Sequence, residues 1–296
     1  MNDLSGFKAL VSWLKKKKLN KEIHACLEST GHYGYSIAEF LHEKGIKVSI
    51  VNPCLIKNFA LSLGKRNKTD RIDCEVIARF CEVNEPSLWE PPSESVKNLI
   101  ELTRTIDDLK KQRQALNNRL EGRSSKTVEK SLKEIIKHFD QQINLLEEKA
   151  SEIVSDDDDL NNKKKLLMSV PGIGEQTAQI ILSETKGEPE KFYSSRALVA
   201  YSGLSPCNRQ SGTSLNWSSL SKKGSSYFRS KLYFPCLSAV RNNPLIKLFY
   251  ERLQERGKSK MVAICACMAK LLKIIYGVLK SGKPFDPNYL NPTFSS

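Results

Sequence analysis

Ile46-Lys-Val-Ser-Ile-Val-Asn-Pro53 is the stretch on which the fold turns. Its apolar residues first alternate with Lys47 and Ser49, then run together as Ile50-Val51. That is the pattern of a strand buried in a layered sheet. Asn52-Pro53 stops it, because proline brings no N–H to a ladder. Upstream, Glu22-Ile-His-Ala-Cys-Leu27 reads as a second buried strand ending at Glu28. Glu28-Ser-Thr-Gly-His-Tyr-Gly34 is a turn that opens a helix over residues 33–44. A short amphipathic helix over 7–17 (Phe7, Leu10, Val11, Trp13, Leu14) precedes the strands, closed by lysines 15–18, and another helix follows at 54–62. The order helix–strand–helix–strand–helix predicts an α/β layer. Sites in such sheets gather at the carboxyl ends of strands, and Glu28 is placed at one.

The next stretch, residues 66–81, is Arg-Asn-Lys-Thr-Asp-Arg-Ile-Asp-Cys-Glu-Val-Ile-Ala-Arg-Phe-Cys. Thr69 is positioned as a helix N-cap, and Ile72, Val76, Ile77 and Phe80 recur at helical spacing behind it. Asp70 and Asp73 then stand one above the other in the first turn. Arg66, Lys68, Arg71 and Arg79 surround them. Two carboxylates on one face suit a divalent metal, and the cations suit a phosphate chain. The same acidic turn also complements a helix dipole with no ligand at all.

The 296 residues are 40% hydrophobic, enough for about two cored domains. Lys and Arg number 47 against 33 Asp and Glu, a net charge of +14. That excess points to a polyanion, most often nucleic acid, the alternative being ordinary solubility charge. The eight cysteines form no C-x-x-C pair and have no His-rich neighbourhood, which argues against structural zinc. They read as small core residues of a reducing compartment. No secretory leader opens the chain and no apolar run reaches the ~20 residues needed to cross a bilayer, so a cytoplasmic protein without membrane contact is expected.

Past Pro86–Pro92, Leu99, Leu102, Ile106, Leu109, Leu116 and Leu120 occupy heptad a and d positions, with Arg113 the one exception. After Gly122-Arg-Ser-Ser, the residues Leu132, Ile136, Phe139, Ile143, Leu146, Ala150 and Ile153 repeat the pattern. An antiparallel coiled-coil hairpin follows, with arms about 40 Å long. It is a spacer, a solvent projection or a pairing surface for a second chain. Asp156–Asp159 reads as a solvated linker or helix start. Val170-Pro-Gly-Ile-Gly174, set between two apolar helices, has the form of a helix–hairpin–helix. Gly172 and Gly174 there would let the backbone approach a phosphate, the alternative being an αα-corner used for packing. Residues 192–206 read as a helix running into a loop, and Cys207–Ser214 as polar and flexible. Ser221-Lys-Lys-Gly-Ser-Ser-Tyr-Phe-Arg229 opens a helix continuing through Val240. Serine–glycine turns are interleaved here with Arg209, Lys222, Lys223 and Arg229, cations able to steady a phosphate oxyanion. The last third is helical over 244–255 and 258–280, with Met261, Ile264, Cys265, Met268, Leu271, Leu272 and Ile275 as core stripe.

Taken in order, these motifs resemble the insertion-sequence transposases with a RuvC-like DEDD domain, relatives of the Piv DNA invertases. Glu28-Ser-Thr-Gly-x-Tyr-Gly, Val51-Asn-Pro and Arg66-Asn-Lys-Thr-Asp-Arg-Ile-Asp are similar to the family's N-terminal domain, and Leu88-Trp-Glu-Pro-Pro-Ser to its linker. Val170-Pro-Gly-Ile-Gly, Tyr201-Ser-Gly-Leu-Ser-Pro, Gln210-Ser-Gly-Thr-Ser and Ser221-Lys-Lys-Gly-x-x-x-x-Arg229 are similar to its C-terminal transposase domain. The resemblance implies an RNase H/RuvC-like domain over 1–92, the coiled-coil hairpin over 93–155 and a helical transposase domain over 156–296. It implies that Glu28, Asp70 and Asp73 are three of four carboxylates around Mg2+. Ser211, with Ser214 the near alternative, becomes the nucleophile of a composite site. DNA is the implied substrate, with a homodimer or tetramer and, as for some relatives, a structured guide RNA. The chain departs from the pattern at its start. Between residues 1 and 69 the only aspartate is Asp3, in no strand pattern, so the family's first carboxylate and first two strands have no counterpart in these residues; either the true start lies upstream or the element is truncated. The expectation is a DNA recombinase using metal-bound carboxylates and a serine. The alternative is a truncated relative that binds nucleic acid without strand exchange.

Overall fold

The structure is a computed structural model. It describes residues 2–16, 22–29, 34–64, 69–122, 125–211 and 215–288, and for residues 208–211 and 215–218 the backbone alone. The chain forms two compact units, Met1–Pro91 and Pro92–Ser296.

In the first unit the order is α1 (Leu4–Lys16), β1 (His24–Glu28), α2 (Tyr35–Glu43), β2 (Lys47–Val51), α3 (Pro53–Ser62) and α4 (Asp70–Asn84). The two strands pair in parallel, from His24 opposite Lys47 to Glu28 opposite Val51. A parallel pair needs a crossover, and α2 supplies it. The twofold alternation of strand side chains divides the core. Val48, with Ala25, Leu27 and Ile50, packs on Val11, Ala38, Leu41 and Trp89 of one layer. Val51 and Cys26 face the other way, onto Ile56, Val76 and Phe80 of α3 and α4. Ser49, though polar, is fully buried. Its hydroxyl lies 3.0 Å from the Pro86 carbonyl, 2.9 Å from that of Ser87 and 2.8 Å from His24 Nε2. Asn52 caps α3 by accepting from the Cys54 N–H, and Thr69 caps α4 by accepting from that of Ile72.

The second unit is mostly helical. It runs α5 (Glu94–Leu120), α6 (Lys126–Asp156), α7 (Asp158–Met168), α8 (Glu175–Glu184), a 3-10 turn at Pro189–Lys191, α9 (Ser195–Tyr201), β3 (Pro206–Ser211), β4 (Leu215–Leu220), α10 (Ser226–Lys231), α11 (Tyr233–Asn242), α12 (Pro244–Glu255) and α13 (Lys260–Ser281). The helices α5 and α6 pack side by side. Lys110 pairs with Glu147 (2.5 Å) and Arg113 with Asp140 (2.6 Å), so numbers rise along one helix as they fall along the other. Every heptad residue read from the sequence is buried or half-buried in this pair. Arg113, the exception, is accommodated by its ion pair. Asp157, within the acidic run, is the N-cap of α7, accepting from the Leu160 N–H at 3.1 Å, and Asp158 and Asp159 form the first turn of that helix.

Four expectations need correction. Cys207–Ser214 is not a loose loop throughout, because Pro206–Ser211 pairs antiparallel with Leu215–Leu220. Alternating polar side chains are no obstacle on a two-stranded ribbon whose backbone groups satisfy one another. The helix expected from 221 through 240 is two helices, breaking at Leu232. Pro235 lacks an N–H and its ring would collide with the carbonyl of Lys231, the last residue of α10. Met261 is 55% exposed and outside the core stripe, whereas Cys267, read as a core cysteine but left out of that stripe, is fully buried in it. Finally, α13 is long and apolar enough to cross a membrane by length and composition, with half of its apolar window buried inside this unit. It packs against α9, α11 and α12 as the central helix of the main core. Of the cysteines, Cys81, Cys236 and Cys267 are buried, while Cys54 and Cys74 are exposed.

Candidate functional site

The first unit organises its carboxylates through β1 and α4. Cys81 Sγ lies 3.4 Å from His24 Nδ1, so the C-terminal half of α4 covers the start of β1. Earlier residues of the helix, Val76 and Ile72, pack with Val51 at the far end of β2. The helix therefore runs back along the strands. Eight helical residues from Cys81 to Asp73 span about 12 Å. The four steps from His24 to Glu28 span about 13 Å. The first turn of α4 thus reaches the level of Glu28. Strand parity also puts Glu28 on the face of His24 and Cys26, which is the α4 face. Burial pushes the Cys26 thiol, under α4, up to about 12, so it stays protonated and inert.

Asp70 is exposed and Asp73 half-buried, with the Asp73 N–H donating to the Thr69 carbonyl at 2.9 Å. Arg71 is exposed and makes a loose 3.4 Å contact with Glu75, which leaves its charge available. Arg66 and Lys68 lie outside the described residues. Among the described residues, no three His, Cys, Asp or Glu side chains stand close enough to hold a metal ion. Glu28, Asp70 and Asp73 share an end of the fold without forming a closed ligand set.

The second unit carries the serine motifs on two interlocked loops. Tyr201-Ser-Gly-Leu-Ser-Pro206 leads into β3, and Ser221-Lys-Lys-Gly-Ser225 leads out of β4. The Ser225 N–H donates to the Tyr201 carbonyl at 2.7 Å, that of Lys222 to Gly203 at 3.2 Å and that of Ser221 to Ser205 at 2.9 Å. The crossing is so close that a Cβ on Gly224 would sit 2.2 Å from the Tyr201 carbonyl oxygen and 2.4 Å from the Gly203 nitrogen. These loops fix the base of the β3–β4 hairpin. Ser211 forms its last rung, opposite Leu215, five residues from the base. The side chains of Ser211 and Arg209, and Ser214 altogether, lie outside the described residues. Lys222 and Lys223 are exposed beside the base. Arg229, expected on nucleic acid, is half-buried. Its guanidinium donates to the Ser202 carbonyl at 3.1 Å and lies against Gly203, so it braces the loop crossing.

Beneath the loops lies a polar network that the sequence reading missed. Glu184, its side chain 5% exposed, pairs with Arg104 of α5 and accepts from the Ser225 hydroxyl at 2.9 Å. Its main-chain carbonyl accepts from the Tyr201 hydroxyl at 3.0 Å. Arg104 stacks over the Tyr227 ring at 3.6 Å. One turn along α5, Asp107 is buried against Lys231 of α10 and lies 2.9 Å from Lys111. Burial alone would raise the Asp107 carboxyl, but the two ammonium groups outweigh it and hold the group below its ordinary range. The Tyr227 hydroxyl is pushed up, first by burial and then by Asp107.

At the turn between α7 and α8 the geometry favours the packing reading of its glycines. Gly172 adopts φ +104°, and a Cβ there would meet Ala239 Cβ at 2.6 Å and its nitrogen at 2.7 Å. The missing side chain is taken up by α11, not by an open phosphate site. Gly174 faces open space at the N-cap of α8, but Glu175 already sits in that first turn, paired with Lys164 at 3.2 Å. A carboxylate there opposes an anionic ligand.

Comparison with known proteins covers both units. Residues 1–123 match the transposase family model for the DEDD domain of IS110 elements, and residues 164–251 match the model described as transposase, IS116/IS110/IS902 family. The pilin gene-inverting protein of Moraxella bovis is 33% identical over 288 residues, covering 96% of this chain and 89% of its own. Its counterpart in Moraxella lacunata aligns to the same extent. The transposase for insertion sequence element IS1328 of Yersinia enterocolitica is 25% identical over 287 residues, covering 84% of this chain and 82% of its own.

Proposed function

The chain belongs to the IS110 family of insertion-sequence transposases, and from that premise we propose that it is a DNA transposase or site-specific recombinase. The observation that carries the proposal furthest is the run of α4 back along β1. It supports a shared acidic end for Glu28, Asp70 and Asp73 in a RuvC-like domain over residues 1–92. The coiled-coil hairpin over 93–155 and the transposase domain over 156–296 complete the proposed division. Ser211 is the proposed nucleophile. Its oxygen attacks the scissile phosphodiester, a serine–phosphate ester forms, and the departing DNA hydroxyl takes up the serine proton. Rejoining reverses these bonds on a second strand. The rigid loop crossing supports this role, because a hairpin fixed at its base holds a tip residue in a defined place.

The net charge of +14 supports binding along a phosphate backbone, with Arg66, Lys68, Arg71, Arg209, Lys222 and Lys223 as proposed contacts. A dimer or tetramer is proposed because two DNA ends must meet, and a guide RNA because some family members use one. Dependence on Mg2+ belongs to the proposal as a requirement to measure, with no step assigned to the ion.

A strand-exchange assay in magnesium tests the whole. Turnover that disappears in Asp70→Ala and in Ser211→Ala, with DNA affinity retained, is the expected result. Binding without exchange in the unaltered protein would instead identify a nucleic-acid-binding relative. Activity that persists in EDTA would remove the metal from the scheme.

A further inference from the structure

The α5–α6 hairpin is charged unevenly along its length. Residues 110–137, the half containing the connection between the helices, hold nine Lys or Arg and three acidic residues. The remaining arm residues, 94–109 and 138–156, hold three Lys or Arg and nine acidic residues. Within the basic half, Lys126, Lys130, Lys133 and Lys137 follow at spacings of four, three and four, and all are exposed. With Glu129 and Glu134 they line one open groove along α6. At about 100° per residue this row is turned about 120° from the Leu132–Ile136–Phe139 stripe that packs on α5. Lys133 pairs with Glu129 at 2.6 Å. Among the described residues, no carboxylate lies within ion-pair range of Lys126, Lys130 or Lys137.

We infer that this lysine row is a contact track for the backbone of duplex DNA. The inference rests on the DNA reading above and adds a place for the duplex that the family motifs do not assign. From Lys126 to Lys137 the helix rises about 16 Å. One DNA strand advances about 3.4 Å per phosphate, so the row spans four or five phosphates. The acidic arms at the other end of the hairpin repel the same duplex, which restricts it to the basic half. A lone lysine run is an ordinary solvated face. This one is continuous on one helix face, leaves three ammonium groups unpaired among the described residues and ends where the charge reverses.

The test is the salt dependence of binding to a duplex DNA by the full chain, from 50 to 200 mM salt. Lys130→Gln/Lys137→Gln keeps helix propensity and removes two contacts. Its log–log slope should be shallower by about 1.8, so the affinity lost across that range shrinks about twelvefold relative to the unaltered protein. Lys149→Gln/Lys280→Gln, with the same net charge change on exposed residues elsewhere, should keep the original slope. An unchanged slope in the first variant, or an equal change in the second, overturns the track. A change seen with duplex RNA and not with DNA overturns its assignment to DNA. A flat response in the unaltered protein removes the underlying DNA reading as well.

Discussion

Replacing Gly172 with alanine separates packing from phosphate contact. The new Cβ would lie 2.6 to 2.8 Å from three atoms of Ala239, two of them backbone, so α11 must move. Overpacking of this kind costs about 1–3 kcal/mol. The residue must also hold φ +104°, a conformation costing an L-residue about 1–2 kcal/mol more. The total is about 2–5 kcal/mol, a large part of a typical domain's stability. Gly174→Ala is the matched control. Its φ of −94° suits any residue and nothing lies within 4 Å, so it should cost about 0.5 kcal/mol as a weakened cap. Urea unfolding followed by helical circular dichroism gives both values. DNA affinity measured on the folded fraction should be unchanged in Gly172→Ala. If that variant stays within about 0.5 kcal/mol of the unaltered protein and binds DNA tenfold more weakly, the assignment of Gly172 to packing is wrong.

Four further outcomes are expected. Asp107→Ala strips the buried partner from Lys231 and should destabilise by about 2–3 kcal/mol, below the cost of a fully buried pair because the lysines reach solvent; a urea midpoint unchanged from the original would refute it. The Asp107 carboxyl is held below its unfolded value of about 3.9, so its stabilisation is complete above that pH and lost as pH falls through the lower folded value. The stability gap between the unaltered protein and Asp107→Asn should therefore stay constant from pH 5 to about 8 and close only below about pH 4. Ser225→Ala removes both the α10 cap and a hydrogen bond to Glu184, which should lower stability by about 1–2 kcal/mol in thermal unfolding, with Ser225→Thr retaining most of it. Arg113→Leu restores an apolar heptad position and should be neutral or stabilising; a loss above about 2 kcal/mol would mean that the Arg113–Asp140 pair sets the hairpin's register.

Periodicity made much of this molecule legible in advance. The two strands, the cap at Thr69 and the heptad residues of α5 and α6 all follow from local patterns of apolar and capping side chains. The clamp around Asp107 did not, because Asp107 sits next to Ile106 at a heptad position that normally faces water. It is buried because α10 covers a second face of α5, and a contact 124 residues away leaves no mark on local spacing. The β3–β4 pairing escaped for a similar reason: a polar ribbon lacks the apolar alternation that announces a buried strand. Glu28 was legible as the carboxyl end of its strand, whereas the distances among Glu28, Asp70 and Asp73 depend on tertiary placement that no motif encodes.

The clamp gives α5 mechanical character. Its first half, through Asp107, is bolted to α8 and α10, and the thirteen residues beyond extend about 20 Å to the tip. Paired with α6 along that length and bolted at its base, α5 forms a lever with α6. A tilt of about 5° at the bolts carries the tip through about 2 Å, enough to open or close a hydrogen bond. Whatever grips the far end of this arm can therefore report its presence at Glu184 and Ser225, and through them at the base of the β3–β4 hairpin.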